Sequence, residues 1–194
     1  MARIAAVRPN TLPEDTQAIL KAGEAFMGFM PNDALVMAHL PGMLPAFLKL
    51  VEAIYGSGTL DPGFKRLIGM IASSAAGCSY CEAHTAFAAH RTEVDEDKIA
   101  AIWDYETSPL FDDAERCALR VAQRAALVPN AVEDHHFEAL ADHFTEAQQT
   151  EIVAVIALFG FLNRWNSTLQ TELEALPAAL REKLSQASDH EEIR

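Results

Sequence analysis

DPGFKRLIGMIASSAAGCSYCEAHTAFAAH, residues 61–90, is the stretch from which the rest of the chain can be read. Asp61-Pro62 is a helix-start signal, and Phe64, Leu67, Ile68 and Ile71 then fall on one helical stripe. The pattern stops near Gly77, and Cys78 opens a second helix that runs to about His90. Two helices joined by a tight break, with no alternation of period two, point to an all-α chain.

The same signals recur on both sides. Pro13-Glu14-Asp15 opens a helix bearing Ile19, Leu20, Ala22 and Phe26, and Asn32-Asp33 is read as the cap of a short helix through Leu40. Pro41-Gly42 breaks it, a third helix covers 44–55, and Gly56-Ser57-Gly58 is a turn. Beyond His90, helices are expected over 95–105, 114–127 and 132–143, with Thr145 capping a long one. Residues 152–162 are apolar nearly all round, which predicts a place in the middle of a bundle. That run is too short to span a bilayer. The tail 177–194 is polar and reads as frayed helix or disorder. No linker or short repeat divides the chain, so 1–194 is taken as a single domain with its core over about 20–175.

Half of the residues are apolar, enough for a core without metal or disulfide staples. With 15 basic against 28 acidic side chains the formal net charge is -13, which disfavours nucleic acid and anionic membrane as partners. The N-terminal residues 1–17 carry no apolar run of the signal-peptide type, and a cytoplasmic location is expected. Three cysteines do not make a secreted disulfide framework, so the CxxC reads as redox or metal chemistry.

On a helix, Cys81 lies three residues after Cys78 and His84 three after Cys81, so all three share one face. Two thiols at that spacing can close a disulfide. A helix N-terminus stabilises a thiolate, and a nearby imidazole can move its proton. These parts suffice to reduce a peroxide: a thiolate attacks the O–O bond, a sulfenic acid forms, and the second thiol condenses with it. A zinc site needs four ligands, and Cys117 belongs to a separate helix. Haem attachment needs His directly after the second cysteine, where Glu82 stands. A thioredoxin motif would follow a strand. The blandest alternative, two small buried hydrophobes, leaves the adjacent His84 without a role.

Residues 72–86, with Gly77-Cys78-Ser79-Tyr80-Cys81 followed by His84-Thr85, resemble the carboxymuconolactone decarboxylase superfamily, and within it the alkylhydroperoxidase D-like, peroxidase-related branch. Pro31-Asn32-Asp33, Met37-Ala38-His39, Pro41 and Leu162-Asn163-Arg164-Trp165-Asn166 extend the resemblance over most of 20–175. It implies a multi-helix bundle, a homo-oligomer (dimer, trimer or hexamer), a hydroperoxide substrate and an external dithiol reductant, with no cofactor and no metal. It also implies that Cys81 is peroxidatic and Cys78 resolving. The residues themselves leave this open, since the helix terminus favours Cys78 as the more acidic thiol and His84 favours Cys81.

Two positions depart from the family pattern. The family histidine four residues after the second cysteine is Thr85 here, with His84 one earlier; the glutamate twelve before the first cysteine is Arg66. A fixed cation cannot shuttle protons, so Glu82 and Glu115 stand as candidate replacement acids. The expected catalytic set is therefore Cys81, Cys78, His84, Glu82 and Glu115. His135, His136 and His143 read as a solvated face, His39 as packed, and Cys117 as core. Two rivals remain: a lactone decarboxylase, whose relatives typically lack the cysteine pair, and a non-enzymatic redox switch or binding protein.

Overall fold

The computed structural model describes residues 2–56 and 58–191, with side chains to residue 185 in the last helix. Ser57 of the expected turn lies outside the described residues. Among the described residues there are ten α-helices and no strand: α1 Glu14–Met27, α2 Asn32–Met37, α3 Met43–Tyr55, α4 Pro62–Ala75, α5 Ser79–Arg91, α6 Glu96–Ala100, α7 Asp113–Ala125, α8 Asp134–Ala141, α9 Glu146–Leu169 and α10 Ala175–Glu191.

The α4–α5 hairpin is the centre, as its sequence suggests. Asp61 Oδ1 accepts from Phe64 N at 2.8 Å and Pro62 fills the first turn, so α4 begins where its pattern says. Leu67, Ile68 and Ile71 are buried, and α4 packs on α5, α7 and α9. A β-carbon at Gly69 would come within 2.3 Å of the Phe159 ring, so the glycine permits the close approach of α4 and α9. Gly77 has φ +71, a left-handed turn that an L side chain resists, and the reversal lets Cys78 N donate to Ser73 O at 3.0 Å.

A second, smaller apolar cluster joins Leu20, Leu35, Met37 and Leu44 from α1, α2 and α3 to Leu162 and Trp165 of α9. It holds the N-terminal helices over the α5–α9 seam. Lys65 is buried on α4, donating to Ile54 O at 2.9 Å and pairing with Glu151 of α9 at 3.0 Å.

Several sequence expectations need correcting. Residues 152–162 are not buried all round: Val153 and Phe161 are exposed, because α9 lies along one side of the hairpin. The apolar run is also part of a 24-residue helix that is long and apolar enough by composition to cross a bilayer, although it packs against α3, α4, α5, α7 and α8. Pro31, not Asn32, occupies the cap position of α2, and Asn32 Nδ2 donates to Glu172 O instead. As far as Glu191, the segment after Pro177 is no frayed tail, and 192–194 lie outside the described residues. It belongs to α10, which buries Leu180 and Leu184 against α5 and α6. Short apolar anchors spaced four apart in a polar helix were too sparse to stand out.

Candidate active site

Cys78 occupies the N-cap position of α5, where its sulfur accepts the Cys81 backbone N–H at 3.4 Å. That is the role a serine or aspartate oxygen plays at other helix starts. The two sulfurs are 2.8 Å apart, both cysteines are unpaired, and both side chains are buried. When the pair loses one proton the negative charge settles on Cys78, which then gains the Cys81 thiol as a donor as well as the helix N–H groups. The hydrogen bond from Cys81 is the chief reason the Cys78 thiol is pulled down from 9.0 to about 6, against the opposing effect of burial. Cys81 is pushed up, first by donating to Cys78 and then by burial.

The sulfurs face different surroundings. Cys81 lines an apolar cavity of about 220 Å³ with Phe26, Phe47, Tyr55, Leu162, His84 and Arg66. Cys78 borders a separate, more polar recess with Ser167, Gln170 and Glu172. The pair therefore forms a partition between two approaches.

His84 is on the same face, as the spacing requires, but its Nε2 is bonded to Glu174 Oε2 at 2.5 Å rather than to a sulfur. Its ring stacks on Tyr80 with centroids 4.2 Å apart and meets the Phe29 edge at 5.3 Å. Glu174 also accepts from Tyr80 Oη at 2.9 Å and from Asn32 N at 2.6 Å. Burial would raise the Glu174 carboxyl, but its bond to His84 and the His84 charge outweigh that and hold it below its ordinary value.

The side chain across the bundle that reaches the Cys81 sulfur is Asn166 of α9, whose Nδ2 lies 3.4 Å from Cys81 Sγ and 3.4 Å from Asp33 Oδ2. Asp33 lines the same cavity, and burial pushes its carboxyl above the ordinary carboxylate range despite the opposing charge of His84. Thr85, at the family histidine position, turns its hydroxyl back to Cys81 O at 2.9 Å within its own helix.

The two substitute acids lie elsewhere. Glu82 lines a different cavity, with Met70, Ile99 and Trp103, because one residue along the helix turns its side chain away from the Cys81 face. Glu115 closes the capping box of α7 with Asp112 and pairs with Lys98 at 2.6 Å. Sequence reading missed Glu174 altogether, met Asn166 only as part of a resemblance, and met Asp33 only there and as a helix cap. Among the other candidates, His136 is buried and its Nδ1 accepts from Glu133 N at 3.0 Å, so it is not on a solvated face. His39 is exposed and not packed, with Nε2 2.8 Å from Ala5 O. Cys117 is only half-buried at the edge of the core.

Residues 41–124 match the carboxymuconolactone decarboxylase family. The chain is 31% identical over 140 residues to the uncharacterised protein YnjA of Escherichia coli K12, spanning 70% of this chain and 77% of that one. Among solved structures, the debrominase Bmp8 is 34% identical with a TM-score of 0.87, covering 93% of this chain and 97% of Bmp8. A cysteine-to-alanine variant of Bmp8 in complex with 2,3,4-tribromopyrrole gives a TM-score of 0.88 at 34% identity, over 93% of this chain and 96% of that one. The alkylhydroperoxidase D core of a peroxidase-related protein from Ralstonia eutropha JMP134 is 25% identical with a TM-score of 0.82, over 91% and 94% of the two chains. With these likenesses spanning nearly the whole bundle, the chain belongs to the carboxymuconolactone decarboxylase family, in its alkylhydroperoxidase D-like, peroxidase-related branch.

Proposed function

We propose that the protein is a dithiol peroxidase that reduces a small organic hydroperoxide at Cys81. The observation that carries this reading is the 2.8 Å contact of the two sulfurs, with Cys81 on the apolar cavity and Cys78 behind it. As a hydroperoxide ROOH enters, the Cys81 proton passes to Cys78 and the Cys81 thiolate attacks the terminal oxygen. The O–O bond breaks, Cys81 becomes a sulfenic acid and RO⁻ leaves. His84, held by Glu174, and Asp33 stand on the cavity wall as the groups that return a proton to RO⁻. Cys78 then loses its proton and attacks the Cys81 sulfur, giving a disulfide and water. The sum is ROOH plus two thiols to ROH, water and a disulfide. An external dithiol restores the pair, and the polar recess beside Cys78 is the side from which it would exchange.

A second reading is reductive dehalogenation of a small aromatic. It is favoured by the 34% identity to a debrominase and by the phenylalanine-lined cavity. There the thiolate takes the halogen, the ring carbanion takes a proton, and the second sulfur expels halide to leave the same disulfide.

Turnover of cumene hydroperoxide and of a brominated pyrrole, each with excess dithiol, separates the two for the parent, Cys81→Ser and Cys78→Ser. The peroxidase reading requires peroxide turnover in the parent and its loss in Cys81→Ser. Equal rates in all three proteins overturn it, and bromide release without peroxide turnover replaces it with the second reading.

A further inference from the structure

Arg66 lies on the wall of the Cys81 cavity. Its guanidinium carbon is 3.8 Å from the Tyr55 ring centroid and 5.9 Å from that of Phe26. The Nε atom is buried without a hydrogen-bond partner, and among the described residues no carboxylate lies within ion-pair distance of this side chain. On the same wall His84 is bonded to Glu174, Asp33 to Asn166 and Thr85 to its own helix, whereas Tyr55 Oη and Asn166 Oδ1 are buried without a partner, as Arg66 Nε is. A guanidinium held on two aromatic rings, beside the Tyr55 hydroxyl and paired with no carboxylate among the described residues, is a strong and geometrically defined recognition group.

We infer that Arg66 is the recognition site for an anionic oxygen group, so that the substrate is a compact apolar or aromatic acid whose carboxylate docks on Arg66 while its reducible end meets Cys81. The inference rests on the reading of the Cys81 cavity as the substrate site. Phe26, Phe47 and Leu162 supply the apolar walls for the body of such a molecule. At roughly 30 Å³ per liquid water the 220 Å³ cavity equals about seven waters, which admits one substituted ring or a short acyl chain. A carboxylate is the natural partner because the guanidinium fork meets it with two parallel N–H···O bonds.

Calorimetric titration of the reduced protein with 4-isopropylbenzoate and with 4-isopropylbenzamide tests this without any turnover. The acid should bind at least about tenfold more tightly than the amide, the scale of a hydrogen bond to a charged group. Arg66→Met should remove that preference by weakening the acid alone, and Arg66→Lys should keep part of it. Equal binding of acid and amide to the parent, or no binding of either, overturns the inference, as does a preference that survives in Arg66→Met. Because the readout is equilibrium binding, a failure of the peroxidase assay leaves this result standing, and the reverse also holds.

Discussion

His84 Nε2 and Glu174 Oε2 are 2.5 Å apart across ninety residues of chain, and this contact joins the cysteine helix to the segment that leads into α10. Glu174 also receives Tyr80 Oη and Asn32 N, so one carboxylate ties α2 and α5 to the segment before α10. Removing it in Glu174→Ala leaves these donors without their acceptor, at a cost of about 2 kcal/mol. Thermal unfolding should show that loss, and peroxide turnover should fall because His84 is no longer held. The pH dependence has a definite sign. A carboxyl held below 4.5 in the folded protein contributes stability that is fully present above 4.5 and is lost as pH falls through the lower folded value. Glu174→Gln should flatten that acid limb, and an unchanged limb would mean that the contact contributes nothing.

The thiol pair should titrate near pH 6. Ultraviolet absorbance of the reduced protein is expected to show a thiolate appearing around that pH, assigned to Cys78. Cys78→Ser should abolish the step. Cys81→Ala removes the hydrogen bond that is the largest cause and should move the step toward 9.0. A step that stays near 6 in Cys81→Ala would place the cause in the helix terminus alone.

Asp33→Asn tests the proton path. The amide keeps the shape and can still bond Asn166, but it has no carboxyl proton to give. Peroxide turnover should fall on the order of a hundredfold, the low end for loss of a general acid. The thiolate step near pH 6 should persist. A rate equal to the parent removes Asp33 from the path and leaves His84 as the donor.

The parts of the site that sequence made legible are those with a local signal. Cys78, Cys81 and His84 share a face by spacing, the start of α4 is written in Asp61-Pro62, and the α4–α5 break in Gly77. Glu174 carried no such signal: it lies in a non-helical stretch before α10, and its meaning comes only from packing against α2 and α5. Glu115 misled for the opposite reason. A glutamate on a partly apolar helix resembles a buried acid, whereas here it serves as the third residue of a capping box, a pattern already visible in Asp112 three residues before it. Lys65 was silent too, since a buried lysine looks like any surface one until its partner Glu151 is known.

That pair, a buried lysine with a half-buried glutamate, supports its own prediction. Lys65 is held by Glu151 and by Ile54 O, while Glu151 also accepts from Thr59 N at 2.9 Å and Leu60 N at 3.3 Å. Glu151→Ala takes the carboxylate from an enclosed cation and should cost about 3 kcal/mol in denaturant unfolding. Lys65→Met combined with Glu151→Leu should recover much of the loss, since an apolar replacement leaves no charge buried. If Glu151→Ala is as stable as the parent, the pair is not what ties α9 to α4.

The last prediction concerns α10, whose composition looks like a dispensable tail. Removing residues 172–194 deletes Glu174 together with the buried Leu180 and Leu184. Leu180→Ala keeps Glu174 and removes only packing, so the two variants divide the role of the helix. Leu180→Ala should destabilise by about 2 kcal/mol and leave the thiolate step near pH 6 in place. Truncation should lose more, and should also abolish peroxide turnover although both cysteines remain. A truncated protein with parental turnover would show that the α10 segment merely covers the hairpin; loss of turnover in a protein that still unfolds cooperatively would show that His84 works only when Glu174 holds it.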